Sequence, residues 1–427
     1  MRPQVRLAKR ILDTAPLPYT ASPLKLLLED FSLAFRYAWA LPLVFFPLRI
    51  GQTSRLDELD PTFQSAMSLS LQMALSVSQI LFLLSIPSLV ILMIPALLIL
   101  LYAVFNLAAN YAICMFFLNG FGRVLVSQAP VSEQPGHERE CWFFINGVAT
   151  GSYWLQKDLD QLSHTFGRKI TGIQNRTAGL IFDVIECLIQ RCFSYATTDV
   201  RLAYTSIKEA LLSPDCDKVV LILHSQGGIE GGLVIDWLLD ELPQDLLHQL
   251  EVYTFGNAAN HFNNPRRTRY VDSDSSHTLN CLLPATGSVG NIEHYVNSHD
   301  PVAWLGVLTF VNLPNLYRGR LFVRPGSGHM LNQHYLDPMF TLGPDKKVLE
   351  SNPFMDTEVN TKMEEMDGRR AGIVEKSNEH SEETLLPIEN QPHQEASQQH
   401  GCHQVLRIKD FSRLWQYRNG GFPEIQI

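Results

Sequence analysis

KVVLILHSQGGIEGGLVIDWLLDEL, residues 218–242, is the segment that decides the fold of this chain. It opens with an almost unbroken apolar run that ends at His224, which is typical of a parallel strand covered on both faces. A helical pattern starts directly after Ser225. The segment therefore predicts a strand, a sharp turn at the serine and a helix, in that order.

Short apolar runs alternate with helical patterns on both sides of this segment. Strands are predicted at residues 141–146, 168–175, 218–224 and 251–256, and helices at residues 152–166, 180–193 and 197–212. This alternation predicts an α/β fold with a mostly parallel sheet and helices on both of its faces. We place the domain that contains it at residues 124–345.

The turn at Ser225 has the features of a serine nucleophile. A strand–turn–helix context strains the serine backbone, exposes its hydroxyl at the carboxyl end of the sheet and points the amide of the next residue, Gln226, at a developing oxyanion. Gly227 and Gly228 provide the small residues that are needed where strand and helix nearly touch. Leu223 stands where the G-x-S-x-G pattern has its first glycine, so its side chain needs open packing nearby. The alternative is a serine in an ordinary strand-to-helix turn.

A serine nucleophile needs a base and a carboxylate that orients the base, and both are expected later in the chain. Asp300 follows a predicted strand at residues 291–297, and His329 lies in a glycine loop after a predicted strand at residues 321–324. Ser225, Asp300 and His329 are therefore the predicted triad. In it the histidine accepts the serine proton, and the aspartate fixes the histidine tautomer.

Two members of this triad have rivals. His334, five residues after His329, is an alternative base. Asp272 and Asp274 are rival acids, although no predicted strand precedes them. The other histidines near these motifs are interpreted as packing residues: His224, His294 and His299.

A second oxyanion donor is expected from the loop after the first strand of the domain. The segment FINGVATG, residues 144–151, contains Gly147 and Val148, whose backbone N–H groups are the candidate donors. Asn146 is a candidate brace for this loop. A plain glycine turn is the alternative interpretation.

Residues 61–123 contain the longest apolar stretch of the chain. Asp60 and Arg123 bound it, and no Asp, Glu, Lys, Arg or His lies between them. A single membrane span needs about 20 apolar residues, so the part at residues 76–118 is long enough to cross once with overhang or twice as a tight hairpin. Its flanks hold too few basic residues to set an orientation. We expect a membrane-attached protein with membrane lipid as a partner, in an endomembrane of undefined compartment.

The two terminal regions differ from the central domain. Residues 1–60 include an amphipathic segment, 22–51, that suits either a membrane surface or a helix packed on the protein. Residues 346–427 are rich in Glu, Asn, Gln, Ser and His and are predicted to be a largely disordered tail. Its last segment, residues 405–422, regains apolar residues and is expected to dock on the body or on a membrane.

Charge and cysteine spacing exclude several kinds of partner. The net charge of -9 argues against nucleic acid, because phosphate binding needs a basic surface. The seven cysteines show no metal-ligand spacing and no disulfide pattern, so reduced thiols and no metal are expected. Asn175 begins an N-glycosylation sequon, Asn-Arg-Thr, which is common enough by chance to be weak evidence for a glycan.

At these motifs the chain resembles α/β-hydrolases of the lipase class 3 kind and, in more detail, a family of uncharacterised fungal α/β-hydrolases. The similar segments are VVLILHSQGG (219–228), VYTFGNAAN (252–260), HYVNSHDPVAWLG (294–306) and GHMLNQHYL (328–336). The last of them favours His329 over His334 as the base. The resemblance covers residues 141–342, and it implies acyl-ester hydrolysis without a metal or organic cofactor.

Together these patterns predict a membrane-associated serine hydrolase that cleaves a lipid ester or another hydrophobic acyl ester through an acyl-enzyme. One alternative is an acyltransferase or transesterase, in which the same serine passes its acyl group to an acceptor other than water. The other is a catalytically inactive hydrolase-fold membrane scaffold, which the departure at Leu223 favours. The fold alone does not choose among them, since one fold hosts many activities.

Overall fold

The computed structural model describes residues 16–48, 56–131, 135–265, 287–311, 317–359, 373–374 and 406–423. Its strands are β1 Val124–Val126, β2 Glu140–Ile145, β3 Ile170–Ile173, β4 Lys218–His224, β5 Leu250–Phe255, β6 Asn291–His299, β7 Arg320–Ser327 and β8 Ile373–Val374. They form one sheet in the order β1–β3–β2–β4–β5–β6–β7–β8. All neighbours are parallel except β1, which pairs antiparallel with β3. The predicted α/β fold with a mostly parallel sheet is therefore confirmed, and β1 and β8 are additions that the sequence patterns do not predict.

The helices cover the sheet and extend from it. The α-helices are α1 Pro23–Tyr37, α2 Phe63–Ile91, α3 Ala96–Ile113, α4 Ser152–Phe166, α5 Leu180–Phe193, α6 Thr198–Leu212, α7 Gln226–Glu241, α8 Gln244–Leu247, α9 Pro301–Leu305, α10 Val307–Phe310, α11 Asp337–Met339, α12 Ile408–Phe411 and α13 Arg413–Gln416. Segments of 3-10 helix occupy Ala38–Val44, His137–Arg139 and Arg418–Gly420, and π-helical turns occupy Cys114–Asn119 and Leu331–Leu336. The three helices predicted before β4 correspond to α4, α5 and α6, with bounds that agree within one residue.

The side chains of β4 alternate between two hydrophobic cores. Leu221 and Leu223 pack with α6 and α7 on one face of the sheet, whereas Val220 and Ile222 pack with α4 and the C-terminal segment on the other. These four side chains are fully buried. A strand covered on both faces has no polar side, which explains the unbroken apolar run in the sequence. Each buried side chain of this size contributes about 1.5–3 kcal/mol.

Helices α2 and α3 form an apolar hairpin before the sheet. Both are long and apolar enough to cross a membrane, by length and composition. The first half of α2 lies against the body through one stripe of buried residues: Ser65, Ser68, Gln72, Leu75 and Gln79. Beyond that stripe the apolar side chains of both helices are mainly exposed.

Helix α1 packs on the body and also presents apolar side chains outward. Asp30 is buried and forms an ion pair with buried Arg191 of α5, with Nε to Oδ2 at 2.9 Å. On the opposite side Leu28 is 70% and Phe35 is 88% exposed. The interpretation as a packed helix is thus confirmed for the buried face, and the membrane-surface interpretation stays a prediction for the exposed apolar face.

The packed body continues beyond residue 345, the boundary predicted from the sequence. Phe354 and Met355 are fully buried in the core below the sheet, and so is Tyr417 of the last segment. Residues 346–359 therefore correct the expected tail, because their apolar side chains complete a core. The last segment docks on the body, one of the two outcomes expected for it. Residues 373–374 of the same tail form β8. Residues 360–372, 375–405 and 424–427 lie outside the described residues.

Candidate active site

Ser225 occupies a sharp turn between β4 and α7. Its backbone angles are φ 57° and ψ -119°, a conformation that costs a non-glycine residue about 1–3 kcal/mol. Three backbone hydrogen bonds hold it: Ser225 N donates to Phe255 O at 3.1 Å, and Ser225 O accepts from Gly228 N at 3.0 Å and from Ala258 N at 3.2 Å. Backbone strain that is secured in this way is typical of functional sites.

The turn is packed too tightly for side chains at the predicted glycines. A Cβ atom on Gly227 would overlap the carbonyl oxygen of Ile145, and one on Gly228 would overlap the side chain of Asn257. Leu223, the departure from the usual pattern, has its side chain where a Cβ atom on Gly231 would lie. The missing glycine in β4 is thus matched by a glycine in α7, which supplies the open packing that Leu223 needs.

Asp300 and His329 form a hydrogen-bonded pair at the same edge of the sheet. Asp300 follows β6 and caps α9, and its Oδ2 lies 2.7 Å from His329 Nδ1. The same Oδ2 accepts from the Tyr335 hydroxyl at 2.6 Å, while Oδ1 accepts from Val302 N at 2.9 Å. Asp300 is fully buried. The carboxylate is therefore held from both oxygens and orients the imidazole through Nδ1.

The other ring nitrogen of His329, Nε2, is buried and has no hydrogen-bond partner among the described residues. In a neutral ring whose Nδ1 donates to the carboxylate, Nε2 carries the lone pair that a base requires. The ring stacks on His224, the neighbour of Ser225, with centroids 4.7 Å apart. His224 Nε2 also lies 2.8 Å from the backbone oxygen of His329. His224 is thus a support for His329, which agrees with its interpretation as a packing residue.

Gly256 lies next to both the turn at Ser225 and the Asp300–His329 pair. Gly256 directly follows Phe255, whose carbonyl accepts from Ser225 N. A Cβ atom on Gly256 would lie 2.8 Å from both Asp300 Oδ2 and His329 Nδ1. The turn after β5 therefore lies directly against the acid and the histidine, and brings all three predicted triad residues to one edge of the sheet.

His334, the rival base, is engaged elsewhere. Its Nδ1 accepts from Met330 N at 3.0 Å, and its Nε2 lies 3.1 Å from the backbone oxygen of Pro47. Both nitrogens are therefore occupied, and Asp300 pairs with His329 instead. The rival acids Asp272 and Asp274 lie outside the described residues.

The loop after β2 lies against the serine. A Cβ atom on Gly147 would be 3.0 Å from Ser225 Oγ. Asn146 braces the loop as expected, since its Oδ1 accepts from Asn175 N at 3.0 Å and its Nδ2 donates to Asn175 O at 2.9 Å. Gln226 is the first residue of α7, so its amide is one of the N–H groups without an acceptor inside the helix. Val148 follows Gly147 in the same loop.

The side chain of Gln226 is held by a polar network that the sequence patterns do not reveal. Its Oε1 accepts from Asn175 Nδ2 at 2.7 Å, and its Nε2 donates to Gln190 at 3.1 Å and to Glu186 at 3.3 Å. Burial raises the pKa of Glu186 to about 7. Asn175 is 4% exposed, so the atom that would carry a glycan is buried and hydrogen-bonded, and the sequon is not an available acceptor in this fold.

The site is closed. Ser225 is 3% exposed, which differs from the exposed hydroxyl that the turn predicts. Two segments cover the site. The loop at Gly147 lies on the serine. The segment after α1 lies on the histidine, because His329 N donates to Val44 O at 2.9 Å.

The described ranges of the chain contain no cluster of metal ligands and no disulfide. No group of three or more His, Cys, Asp or Glu side chains converges there to hold a metal ion. Cys114, Cys141, Cys187, Cys192 and Cys216 are free thiols. The chemistry that this site offers is that of a hydroxyl, an imidazole, a carboxylate and backbone amides.

No family model, no curated protein and no solved structure matches this chain. The resemblance to lipase class 3 hydrolases, drawn from sequence segments that include Ser225, Asp300 and His329, therefore stays a prediction. The geometry of those residues carries the functional interpretation.

Proposed function

We propose that the protein is a membrane-associated serine hydrolase of the α/β-hydrolase type, which cleaves hydrophobic acyl esters with Ser225 as nucleophile. One observation carries this proposal: His329 has a buried Nε2 without a hydrogen-bond partner among the described residues, while its Nδ1 is bound to Asp300 at 2.7 Å. An unpaired buried nitrogen is costly in a structural histidine and useful in a base.

The proposed reaction begins with attack of Ser225 Oγ on the ester carbonyl carbon while His329 Nε2 accepts the hydroxyl proton. The carbonyl oxygen becomes an oxyanion and accepts hydrogen bonds from the amide of Gln226 and from an amide at Gly147 or Val148. Collapse breaks the ester bond, and the imidazolium returns its proton to the leaving alcohol. Water then attacks the acyl-enzyme with the same base, which releases the acid and regenerates the serine.

The order of elements supports a hydrolase-type arrangement. The serine follows β4, the aspartate follows β6 and the histidine follows β7. This is the chain order serine, acid, histidine in which such sheets carry a triad. All three residues meet at the carboxyl edge, where parallel sheets place their sites.

The apolar hairpin supports membrane association. Its exposed leucines, isoleucines and phenylalanines form a far larger apolar surface than a soluble monomer presents. An enzyme held at an endomembrane meets lipid and other hydrophobic esters where they accumulate. Such esters are therefore the proposed substrates.

Reaction with a fluorophosphonate tests the nucleophile. We expect the wild-type protein to be labelled and Ser225→Ala to lose labelling, while Ser351→Ala, a serine on the far segment that bonds Asp356, keeps it. Hydrolysis of acyl esters by Ser225→Ala should fall by about a million-fold relative to wild type. Folded wild-type protein that resists the probe would favour the inactive scaffold instead.

Acyl transfer is a second candidate, and the closed site favours it. Asp300, His329 and Ser225 are at most 5% exposed, so an acyl-enzyme formed there is shielded from water. Adding a long-chain alcohol to the ester assay separates the two activities. Transfer predicts ester exchange in place of acid release, whereas hydrolysis predicts an unchanged yield of acid.

A further inference from the structure

The depth to which the hairpin can enter a membrane depends on where it leaves the body. Gln79 Nε2 donates to Ala178 O at 2.6 Å and to Asn110 Oδ1 at 2.9 Å, and Asn110 Nδ2 donates to the same Ala178 O at 2.8 Å. Gln79 is 2% exposed. The two helices therefore contact each other at Gln79 and Asn110, and both side chains bind the same peptide carbonyl of the body, that of Ala178. We call Gln79, Asn110 and Ala178 the root of the hairpin.

The arms beyond the root are short. From Gln79 α2 continues to Ile91, and from Ala96 α3 returns to Asn110. At 1.5 Å per residue each arm reaches about 20 Å beyond the root. The hydrocarbon core of a bilayer is about 30 Å thick, so such an arm passes one leaflet and stops about 10 Å before the far interface. Tilt reduces this depth further.

The chemistry of the tip agrees with that depth. The turn is Leu92-Met93-Ile94-Pro95, and Met93 is 88% exposed. A hairpin that crosses a bilayer places its turn among head groups, where polar, aromatic or basic residues are typical. This turn has none, so it is suited to hydrocarbon.

The backbone of the tip is also prepared for hydrocarbon. Leu92 N donates to Ser88 O at 3.0 Å, Met93 N to Val90 O at 3.0 Å and Ile94 N to Leu89 O at 3.1 Å. Pro95 has no N–H group. The N–H groups of Leu92, Met93 and Ile94 are therefore satisfied within the hairpin, which lowers the cost of placing the turn in lipid.

The polar side chains of the arms make local hydrogen bonds as well. Ser85 Oγ donates to Phe82 O at 2.7 Å, Ser88 Oγ to Leu84 O at 3.0 Å and Asn106 Nδ2 to Tyr102 O at 2.8 Å. Each bond joins residues one turn apart in the same helix. These groups can therefore enter a leaflet without needing water.

We infer that residues 80–109 form a re-entrant hairpin, which enters one leaflet of a phospholipid bilayer and does not cross it. The inference rests on the proposed membrane attachment and is independent of the chemistry at Ser225. It places both flanks of the hairpin on one side of the membrane, with the site and the exposed apolar face of α1. That face then lies on the side from which a lipid substrate would come.

Labelling of a cysteine at the tip tests this topology. The full chain carrying Met93→Cys, with Cys281→Ser and Cys402→Ser, is synthesised in the presence of phosphatidylcholine vesicles. A membrane-impermeant maleimide is then added outside or trapped inside. The same chain without Met93→Cys gives the background from the remaining thiols, and Leu349→Cys, which is 45% exposed on the body, is the matched control.

For a re-entrant hairpin, the tip cysteine reacts only after detergent dissolves the vesicles, whereas the control cysteine reacts from outside at once. Reaction of the tip with trapped reagent would mean that the hairpin crosses the bilayer. Reaction with external reagent in intact vesicles would mean that the hairpin is not embedded. Either result overturns the inference. Fluorophosphonate labelling of the same samples reports on the serine separately.

Discussion

At the scale of single residues, the orientation of the site histidine depends on Oδ2 of Asp300. It accepts from His329 Nδ1 at 2.7 Å and from the Tyr335 hydroxyl at 2.6 Å. A buried carboxylate is stable only when hydrogen bonds replace its lost hydration. Tyr335 therefore acts through Asp300: it holds the carboxylate in the plane that orients the imidazole.

Removal of that hydroxyl should slow the reaction without preventing folding. A hydrogen bond to a charged group contributes about 1.5–3 kcal/mol. We expect Tyr335→Phe to lower the rate of fluorophosphonate reaction and of ester cleavage by about 10- to 100-fold. Stopped-time labelling and ester kinetics across pH measure the effect.

A matched control lies in the same fold. The hydroxyl of Tyr317 is buried and has no hydrogen-bond partner among the described residues. Tyr317→Phe removes the same atom without breaking a bond, so it should leave the rate unchanged. Equal rates for the two variants would contradict the positioning role of Tyr335.

The triad residues and their supports differ in how far the sequence predicts them. Ser225, Asp300 and His329 follow strands that are visible as apolar runs, so their convergence follows from the parallel sheet. Tyr335 and the partners of Gln226 are different, because the contact from Asn175 to Gln226 joins residues 51 apart and that from Tyr335 to Asp300 joins residues 35 apart. No periodicity encodes such contacts, and they appear only when the elements are packed.

At the scale of elements, the strand β4 and the helix α7 are fitted to each other through Leu223 and Gly231. A Cβ atom on Gly231 would overlap the Leu223 side chain. Overpacking of a rigid core costs about 1–3 kcal/mol. We expect Gly231→Ala to lower the free energy of unfolding by this amount, and Leu223→Ala in the same chain to recover part of it. Chemical denaturation of the single and double variants measures the coupling.

The neighbouring glycine of α7 separates this clash from helix propensity. A Cβ atom on Gly232 would have His261 O at 3.4 Å as its nearest neighbour, which is ordinary contact. Gly232→Ala should therefore stabilise the helix by up to about 1 kcal/mol. If Gly231→Ala and Gly232→Ala lowered the free energy of unfolding equally, overlap with the Leu223 side chain would not be the reason for the loss of stability at Gly231.

The attachment of α1 depends on a buried ion pair. Arg191 donates to Asp30, to Ala258 O at 2.8 Å and to Leu305 O at 2.6 Å, so it joins α5 to α1, to the loop after β5 and to α9. Asp30→Asn leaves its charge without a counterion, a change that costs about 3–5 kcal/mol. We expect α1 to detach, and limited proteolysis to cut near it at lower protease concentration.

Glu29 provides the comparison for this variant. It is adjacent to Asp30, is only partly buried and accepts from Leu17 N. Glu29→Gln should leave the proteolysis pattern of α1 unchanged. If Asp30→Asn resisted the protease as well as wild type does, apolar contacts alone would be sufficient to hold α1 on the body.

Elements with strong periodicity are the ones that the sequence predicts. The helices α4, α5 and α6 and the strand β4 are examples, because each buries a regular stripe or a whole run. The short helices α12 and α13 are not predicted, since they gain their stability from packing on a core supplied by distant residues. The same reason explains why the tail boundary at residue 345 is too early: the apolar residues Phe354 and Met355 are isolated in a polar stretch.

At the scale of the whole molecule, the N-terminal region is built into the body rather than appended to it. The segment just before α2 contributes Glu58, whose Oε1 accepts from Asn332 N at 2.9 Å close to the site histidine. Glu58 is 3% exposed. Because Glu58 is buried where this segment joins the body, ionisation of its carboxyl group is unfavourable.

Glu58 should make the stability of the whole fold depend on pH. Burial raises its pKa from the ordinary 4.5 to about 7 in the folded protein. The folded protein therefore favours the protonated form of Glu58. The stability that this preference adds is fully present below about pH 4.5 and is lost as the pH rises through about 7.

Replacement of Glu58 by glutamine should remove that loss, because the amide keeps an oxygen for Asn332 and has no charge to desolvate. Between pH 5 and 8 we expect the wild-type free energy of unfolding to fall by about 1–3 kcal/mol more than that of Glu58→Gln. Thermal and denaturant unfolding in detergent across this range measure the difference. Glu209→Gln, at an exposed position on α6, should follow the wild-type curve. Parallel curves for wild type and Glu58→Gln would show that the carboxylate is ionised in the fold at no cost, and that the N-terminal junction does not set the pH dependence.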